Sequence, residues 1–311
     1  MIQQLIDFRS DKLFYYSEAN FIKKIKQEIH LELIHEKIQQ YLQSTKENYF
    51  FIEICVSNKT HYFLLEFLAW DTNFFGKKIY KLFTVLYDHQ DFSLLTTAIQ
   101  QLKTILVQDY QSEYCFIELP SEDIFLLQAL TASGFKLVET RLTCYFELTK
   151  FNRDRSYKVR QATVNDIPSL TNAAATMRNL YDRFHADIAI DREKADAFLA
   201  KYIEEGVKGY LDMVLVPAID NAPPDGFVSY NYQQEKWEKL GCKVAKLILT
   251  AVLFETRRGW FYRLSVEMLQ DLKERGLEFA YFQAQSANRV MYKTMEKLGS
   301  KYGSSSHILS I

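Results

Sequence analysis

Two hydrophobic rhythms alternate along the chain. From Asp11 to about Ser44 apolar residues recur at helical spacing. Phe21, Ile25, Ile29 and Leu33 share one face, with Lys23, Lys24, Lys26 and Glu28 around them, and this predicts two helices. At Asn48 the rhythm shortens. The runs FFIEICVS and HYFLLEFL, turning at Asn58-Lys59, predict a strand pair. From Tyr80 onward strands and helices interleave. Apolar runs over 80–86 and 114–119 predict strands, amphipathic stretches over 92–109 and 122–133 predict helices, Gly134-Phe135 stops the second helix, and Leu142 to Leu148 reads as a further strand.

The same order returns later: strand 247–254, helix 260–275, strand 277–284, helix 287–298, a stop at Gly299 and a strand near 305–310. Tyr114 to Gly134 spans 20 positions and Glu278 to Gly299 spans 21. This weak architectural repeat predicts two similar α/β halves. The polar segment 150–157 (KFNRDRSY) marks a boundary, giving units 1–150 and 151–311. Within the second, Val159 to Ile167 predicts a strand entering a helix capped near Thr163 or Asn165. Residues 195–202 predict a helix, 212–216 and 227–232 strands, Pro223 to Gly226 a turn, and Gln233 to Cys242 a loop. Trp237 in that loop either meets a ligand or packs.

Length and composition bound the function. At 311 residues and 48% hydrophobic content the chain can build a core in each half. Its 38 basic and 39 acidic residues nearly cancel, so no net field recruits nucleic acid or a membrane, and an anion must be held by a local site. Cys55, Cys115, Cys144 and Cys242 are far apart with no CxxC spacing, which reads as reduced core cysteines of a cytoplasmic protein. Residues 1–13 carry Asp7, Arg9, Asp11 and Lys12 and so do not read as a signal peptide. No stretch approaches the roughly 18 apolar residues of a membrane span. No GxGxxG occurs and the six histidines do not cluster, so neither a dinucleotide fold nor a metal centre is indicated.

The chemistry centres on Leu247 to Arg263 (LILTAVLFETRRGWFYR), which reads as a buried strand, a basic turn with one glycine, and the first turn of a helix. Free backbone N–H groups at a helix start carry the positive end of the dipole and can hold an anion. Arg257, Arg258 and Arg263 add charge, although an ordinary strand-to-helix connection with solvated arginines fits the same residues.

The turn RRGWF and the later SANRVMYKTMEKLGS resemble the end of a GNAT-family acyl-CoA N-acyltransferase. The resemblance implies an α/β (α+β) fold of two GNAT-like halves, each a mixed, mostly antiparallel sheet flanked by helices. It implies acetyl-CoA, or another acyl-CoA, as the cofactor. Arg257, Arg258, Gly259, Trp260, Phe261, Tyr262 and Arg263 then form the pyrophosphate turn, Asn288 meets the pantetheine arm, and Lys297-Leu298-Gly299 closes the last helix. At the equivalent turn of the first half stand Asp88-His89-Gln90-Asp91, two acids and no glycine, which repel a pyrophosphate. Only the second half is then equipped for the coenzyme.

Acyl transfer to an amine needs the thioester held, its carbonyl polarised, the amine deprotonated and the thiolate protonated. A backbone N–H near Leu253 is the expected polarising donor. Glu255 is the first candidate base and His185 the second. Many relatives place a tyrosine four residues before the glycine stop. Here that position is Met295, so Tyr292, about one helical turn earlier, is the substitute acid. Phe261 stands where the family has a small residue, and its ring is expected to point away from the ligand. The segment WDTNFFG, beginning at Trp70, resembles one near the start of the bacterial dTDP-fucosamine acetyltransferases. Arg178, Asp182, Arg183, His185 and Asp187 form a polar knot that is either a solvated helix end or the acceptor side. The resemblance puts Arg183, Asp187 and Trp70 near a small-molecule amine, such as a nucleotide-linked amino sugar. A homodimer is compatible with this reading. The rival is a catalytically degenerate GNAT-fold ligand-binding or interaction protein.

Overall fold

A computed structural model describes residues 2–177, 179–219, 223–253 and 259–311. It divides into two compact units, Met1–Arg141 with Ser304–Ile311, and Leu142–Gly303. The division falls inside strand β5 (Lys136–Glu147) and not at the polar segment 150–157. That segment is polar for a different reason than linkage. Glu267 accepts the N–H groups of Ser156 and Tyr157 at 2.8 and 2.9 Å, and Arg155 pairs with Glu274 at 2.6 Å, so it is bound down within the second unit.

In the first unit the strand order is β1 (Tyr49–Val56), β2 (Lys59–Phe67), β3 (Ile79–Leu86), β4 (Tyr114–Pro120), then the C-terminal part of β11 (Lys301–Ser310). The β3–β4 pair is parallel and the others antiparallel. Side-chain alternation along β2 feeds two cores. Phe63 and Leu65 join Leu95, Ile99 and Leu102 of α4 (Phe92–Gln108) and Leu126 of α5 (Ile124–Ala132). Tyr62 and Leu64 join Leu5, Ile6 and Leu13 of α1 (Ile2–Leu13) and Ile34 and Ile38 of α2 (Gln27–Leu42). The first helix thus lies earlier than the expected start at Asp11. WDTNFFG falls in a short helix, α3 (Ala69–Phe75).

Two buried histidines in this unit have tautomers fixed by their partners. The Asp91 N–H can only donate, so His89 Nδ1 accepts at 3.1 Å, and the Ile54 carbonyl can only accept, so His61 Nδ1 donates at 3.3 Å. His89 Nε2–H therefore donates to His61 Nε2 at 2.7 Å. Burial, then the neighbouring His89, pushes His61 down to about 4, and burial also lowers His89.

The second unit runs β6 (Val159–Gln161), β7 (Met213–Pro217), β8 (Gly226–Asn231), β9 (Val244–Val252), β10 (Phe279–Gln285) and the later part of β5. The β9–β10 pair is parallel, and β6 to β9 are antiparallel. Helices α6 (Ile167–Thr176) and α8 (Arg192–Glu205) cover one core through Leu170, Ala173 and Ile203. The long α10 (Trp260–Glu274) and α11 (Arg289–Lys297) cover the other through Leu264, Met268, Leu272, Met291 and Met295. A short α7 (Arg183–Ala186) precedes α8. The expected loop after β8 contains α9 (Gln234–Leu240), where the Trp237 Nε1–H bonds the carbonyls of Tyr232 and Val244 at 2.7 and 2.9 Å, so Trp237 packs. Cys55 is exposed, unlike the other three cysteines. Among the described residues no helix is long and apolar enough to cross a membrane, and no three His, Cys, Asp or Glu are grouped to hold a metal ion.

Candidate active site

The parallel pairing of β9 with β10 stops at Lys246↔Tyr281, although β9 continues to Val252 and β10 to Gln285. The two strands therefore diverge, and a cleft of about 140 Å³ opens there. Residues 247–251 of β9 and 282–285 of β10 form its walls, with Asn179, Asp182, Ser229, Phe261, Asn288 and Met291 around them.

A bulge shapes the β9 wall. The β8–β9 register slips between Val228 and Tyr230, and the Ser229 hydroxyl bridges the irregularity, donating to the Leu249 carbonyl at 2.8 Å and accepting the Leu249 N–H at 3.1 Å. Further along, the Leu253 N–H donates to the Asp225 carbonyl at 2.9 Å. Leu253 is thus engaged with its neighbour and is not the free donor expected. The alternation of the strand then turns the N–H groups of Thr250 and Val252 to the opposite edge, the one β10 has left.

The start of α10 flanks this wall. Gly259 caps it with φ of 82°, a left-handed conformation that suits glycine, and the first intrahelical N–H bond runs from Arg263 to the Gly259 carbonyl at 3.4 Å. The amides of Trp260, Phe261 and Tyr262 precede that ladder. Phe261 lines the cleft and packs against the unit's core. Arg263 lies over the rings of Trp260 and Tyr157 at 5.2 and 5.5 Å. Glu255, Arg257 and Arg258 lie outside the described residues, as do Thr256 and Arg178. Asn288 lines the cleft and caps α11, accepting the Met291 N–H at 3.1 Å.

The remaining expected residues have other roles. His185 is buried, with Nδ1 2.9 Å from both Asp182 oxygens and Nε2 3.0 Å from Asp196. Burial opposes its charge, but the two aspartates outweigh that and raise its pKa, and with a carboxylate on each ring nitrogen neither is free to act as a base. The Tyr292 hydroxyl bonds the Ala284 carbonyl and tethers α11 to β10, so it is not presented as an acid. Met295 is a core residue. Arg183 stacks on Phe184 at 4.3 Å, and Asp187 is buried, accepting the Ala189 N–H at 2.9 Å; neither lines the cleft. Trp70 belongs to the first unit, where it stacks on Phe74 at 5.9 Å. Asp182, Asn179, Gln283 and Gln285 line the cleft instead. Asp182 stood in the polar knot, but nothing in its sequence spacing separated it from Arg183 or Asp187.

The first unit repeats the divergence. Its β3–β4 pairing ends at Leu82↔Ile117 while β3 runs on to Leu86. There the Arg9 guanidinium of α1 bridges the separated ends. It donates to Asp123 at 2.9 and 2.6 Å, to the Tyr87 hydroxyl at 2.8 Å and to Thr84 at 3.5 Å, while the Tyr16 hydroxyl donates to Asp123 at 2.7 Å. Burial opposes the Arg9 charge, but Asp123 outweighs it and keeps Arg9 protonated. Asp91 is spent as the cap of α4, accepting the Leu94 N–H at 3.1 Å, and Asp88 pairs with Lys59 at 3.1 Å.

No protein-family model matches the sequence, and no curated protein does. Solved structures match the fold. A GCN5-related glucosamine N-acetyltransferase region in a fungal multi-domain GH3 β-N-acetylglucosaminidase aligns with 98% of this chain and 37% of that one, at 11% identity and a TM-score of 0.59. A GCN5-related N-acetyltransferase from Sphaerobacter thermophilus aligns over 81% of this chain and 76% of that one, at 12% identity and 0.55. A functionally unknown conserved protein from Staphylococcus epidermidis aligns over 84% and 93%, at 12% and 0.53. The fold is that of the GCN5-related N-acetyltransferases, a mixed sheet flanked by helices.

Proposed function

We propose that the second unit is an acyl-CoA-dependent N-acyltransferase, with acetyl-CoA as the donor and a small-molecule amine, such as a nucleotide-linked amino sugar, as the acceptor. One observation carries the reading: two adjacent parallel strands part, and Thr250 of β9 lines the opening between them. The residues present suit such a donor. Amides fixed in a strand are preorganised to stabilise negative charge on a carbonyl oxygen. The leading amides of α10 offer an anion site for a diphosphate, and Asn288 adds a polar side chain at the wall. Acyl-CoA, when bound, supplies the acyl group already activated as a thioester. Glu255 remains the proposed base, while His185 and Tyr292 are withdrawn from acid–base roles by the bonds that hold them.

A second reading is favoured by Phe261, a bulky residue among those lining the cleft: a degenerate relative that binds a ligand without turnover. Thiol release from acetyl-CoA with a panel of small amines separates the two. The transferase reading predicts release by the wild-type chain. Release seen only after Phe261→Ala would support the degenerate reading, and release from neither protein would overturn the transferase.

A further inference from the structure

The transferase reading leaves open how the acceptor is recognised, and the cleft bears on this. Among its described lining residues Asp182 has the one ionisable side chain; Asn179, Ser229, Thr250, Gln283, Gln285 and Asn288 are polar but uncharged. Asp182 is 15% exposed, and its bonding is incomplete. Oδ1 accepts the N–H groups of Phe184 and His185 at 2.9 and 3.0 Å, and His185 Nδ1 lies 2.9 Å from both oxygens. A carboxylate offers about four lone-pair sites. Those three donors leave acceptor capacity on Oδ2. The electrostatics lean the same way. His185 is held on its other side by Asp196, 3.0 Å from Nε2, and Asp182 presents its carboxylate at the cleft's edge.

We propose that Asp182 anchors the acceptor as its ammonium cation, which makes the substrate class a small primary amine that enters protonated. A cation meets the open lone pair of the Asp182 carboxylate, and the uncharged amides and hydroxyls of the walls accommodate hydrogen-bonding substituents. A cleft of about 140 Å³ is smaller than the roughly 300–1,000 Å³ of a pocket that engulfs a whole drug-sized ligand. It receives the reacting end of the acceptor, and the rest of a larger amine lies outside. Asp182 acts here as a binding residue, and His185 and Asp196 act through it as positioning residues.

The inference rests on the acyl-CoA reading, and the test separates the two. Asp182→Asn keeps the size of the side chain, and asparagine is an equally good cap for α7. The proposal predicts unchanged acetyl-CoA affinity in this variant, a rise of about ten- to hundredfold in KM for primary amines, as expected for loss of a charge-assisted bond, and a much smaller change in kcat. Asp182→Glu should recover part of the loss. Ethylamine should bind with a lower KM than 2,2,2-trifluoroethylamine, which is largely unprotonated at neutrality, and Asp182→Asn should erase that difference in KM, whatever the weaker nucleophile does to kcat. An unchanged KM in Asp182→Asn, equal KM values for the two amines in the wild type, or acetyl-CoA binding with no amine accepted would each overturn the anchor. Absence of acetyl-CoA binding by the wild type would strike the transferase reading itself.

Discussion

Removing the carboxylate of Asp123 should destabilise the first unit severely without touching the proposed cleft. Arg9 and Asp123 have side chains only 3% and 1% exposed, and their bidentate contact at 2.9 and 2.6 Å is supported by hydroxyls from Tyr16 and Tyr87. Asp123→Ala leaves a guanidinium with no counter-charge in the interior and the Tyr16 hydroxyl without its acceptor. Breaking a buried pair from one side costs about 3–5 kcal/mol. At about 2–4 °C per kcal/mol for domains of 150–250 residues, this corresponds to a fall in Tm of roughly 6–20 °C. The double variant Arg9→Met with Asp123→Leu removes both charges and should recover most of the loss, since apolar replacement of a whole buried pair is often near neutral. Calorimetry or urea unfolding of the wild type, Arg9→Met, Asp123→Leu and their double variant measures the coupling. A loss below about 1 kcal/mol for Asp123→Ala, or strictly additive single and double variants, would refute the reasoning about an uncompensated charge.

Further outcomes follow from the same geometry. His61 has its pKa pushed from 6.5 down to about 4, so the folded chain binds fewer protons than the unfolded one between those values. Its contribution is complete above pH 6.5 and is lost as pH falls toward 4. At about 1.4 kcal/mol per pH unit the loss reaches roughly 3 kcal/mol at most. His61→Gln should remove this part of the acid sensitivity, and Tm profiles of equal slope from pH 7 to 4 in both proteins would contradict it. Ser229→Ala deletes the hydroxyl that bridges the β9 bulge, leaving the Leu249 N–H and carbonyl without it. It should cost about 1–3 kcal/mol of stability and lower kcat in the thiol-release assay by about tenfold or more as the Thr250 amide loses its aim; wild-type values for both would refute the role of the bulge.

The strands and helices of the two repeats were legible because buried strands are short apolar runs and core helices keep a stripe of spaced leucines and methionines. Leu264, Met268 and Leu272 show this on α10. What escaped reading was long-range. Arg9 read only as one of the charges that argue against a signal peptide, yet its role depends on Asp123, 114 positions away. The last strand read correctly as a strand, but residues 306–310 pair with 116–120 of the first unit, a choice of partner that no local periodicity encodes. Charge density marked the region around His185, but its spacing does not reveal that Asp182 and Asp196 take both ring nitrogens of an apparent base. The stretch QEKWEKL read as a loop because it is short and polar. Its helix is held through Trp237 and the backbone carbonyls of Tyr232 and Val244.

Isothermal titration of the whole chain with acetyl-CoA tests the central claim most directly, because it reads both the existence of a site and its number. The account predicts one site per chain, supplied by the second unit, since Arg9 bridges the equivalent opening of the first. At a hundred times the dissociation constant the coenzyme should also stabilise the folded protein by about 2.7 kcal/mol. Two sites per chain would contradict the role given to Arg9, and no binding of any acyl-CoA would contradict the assignment of the cleft.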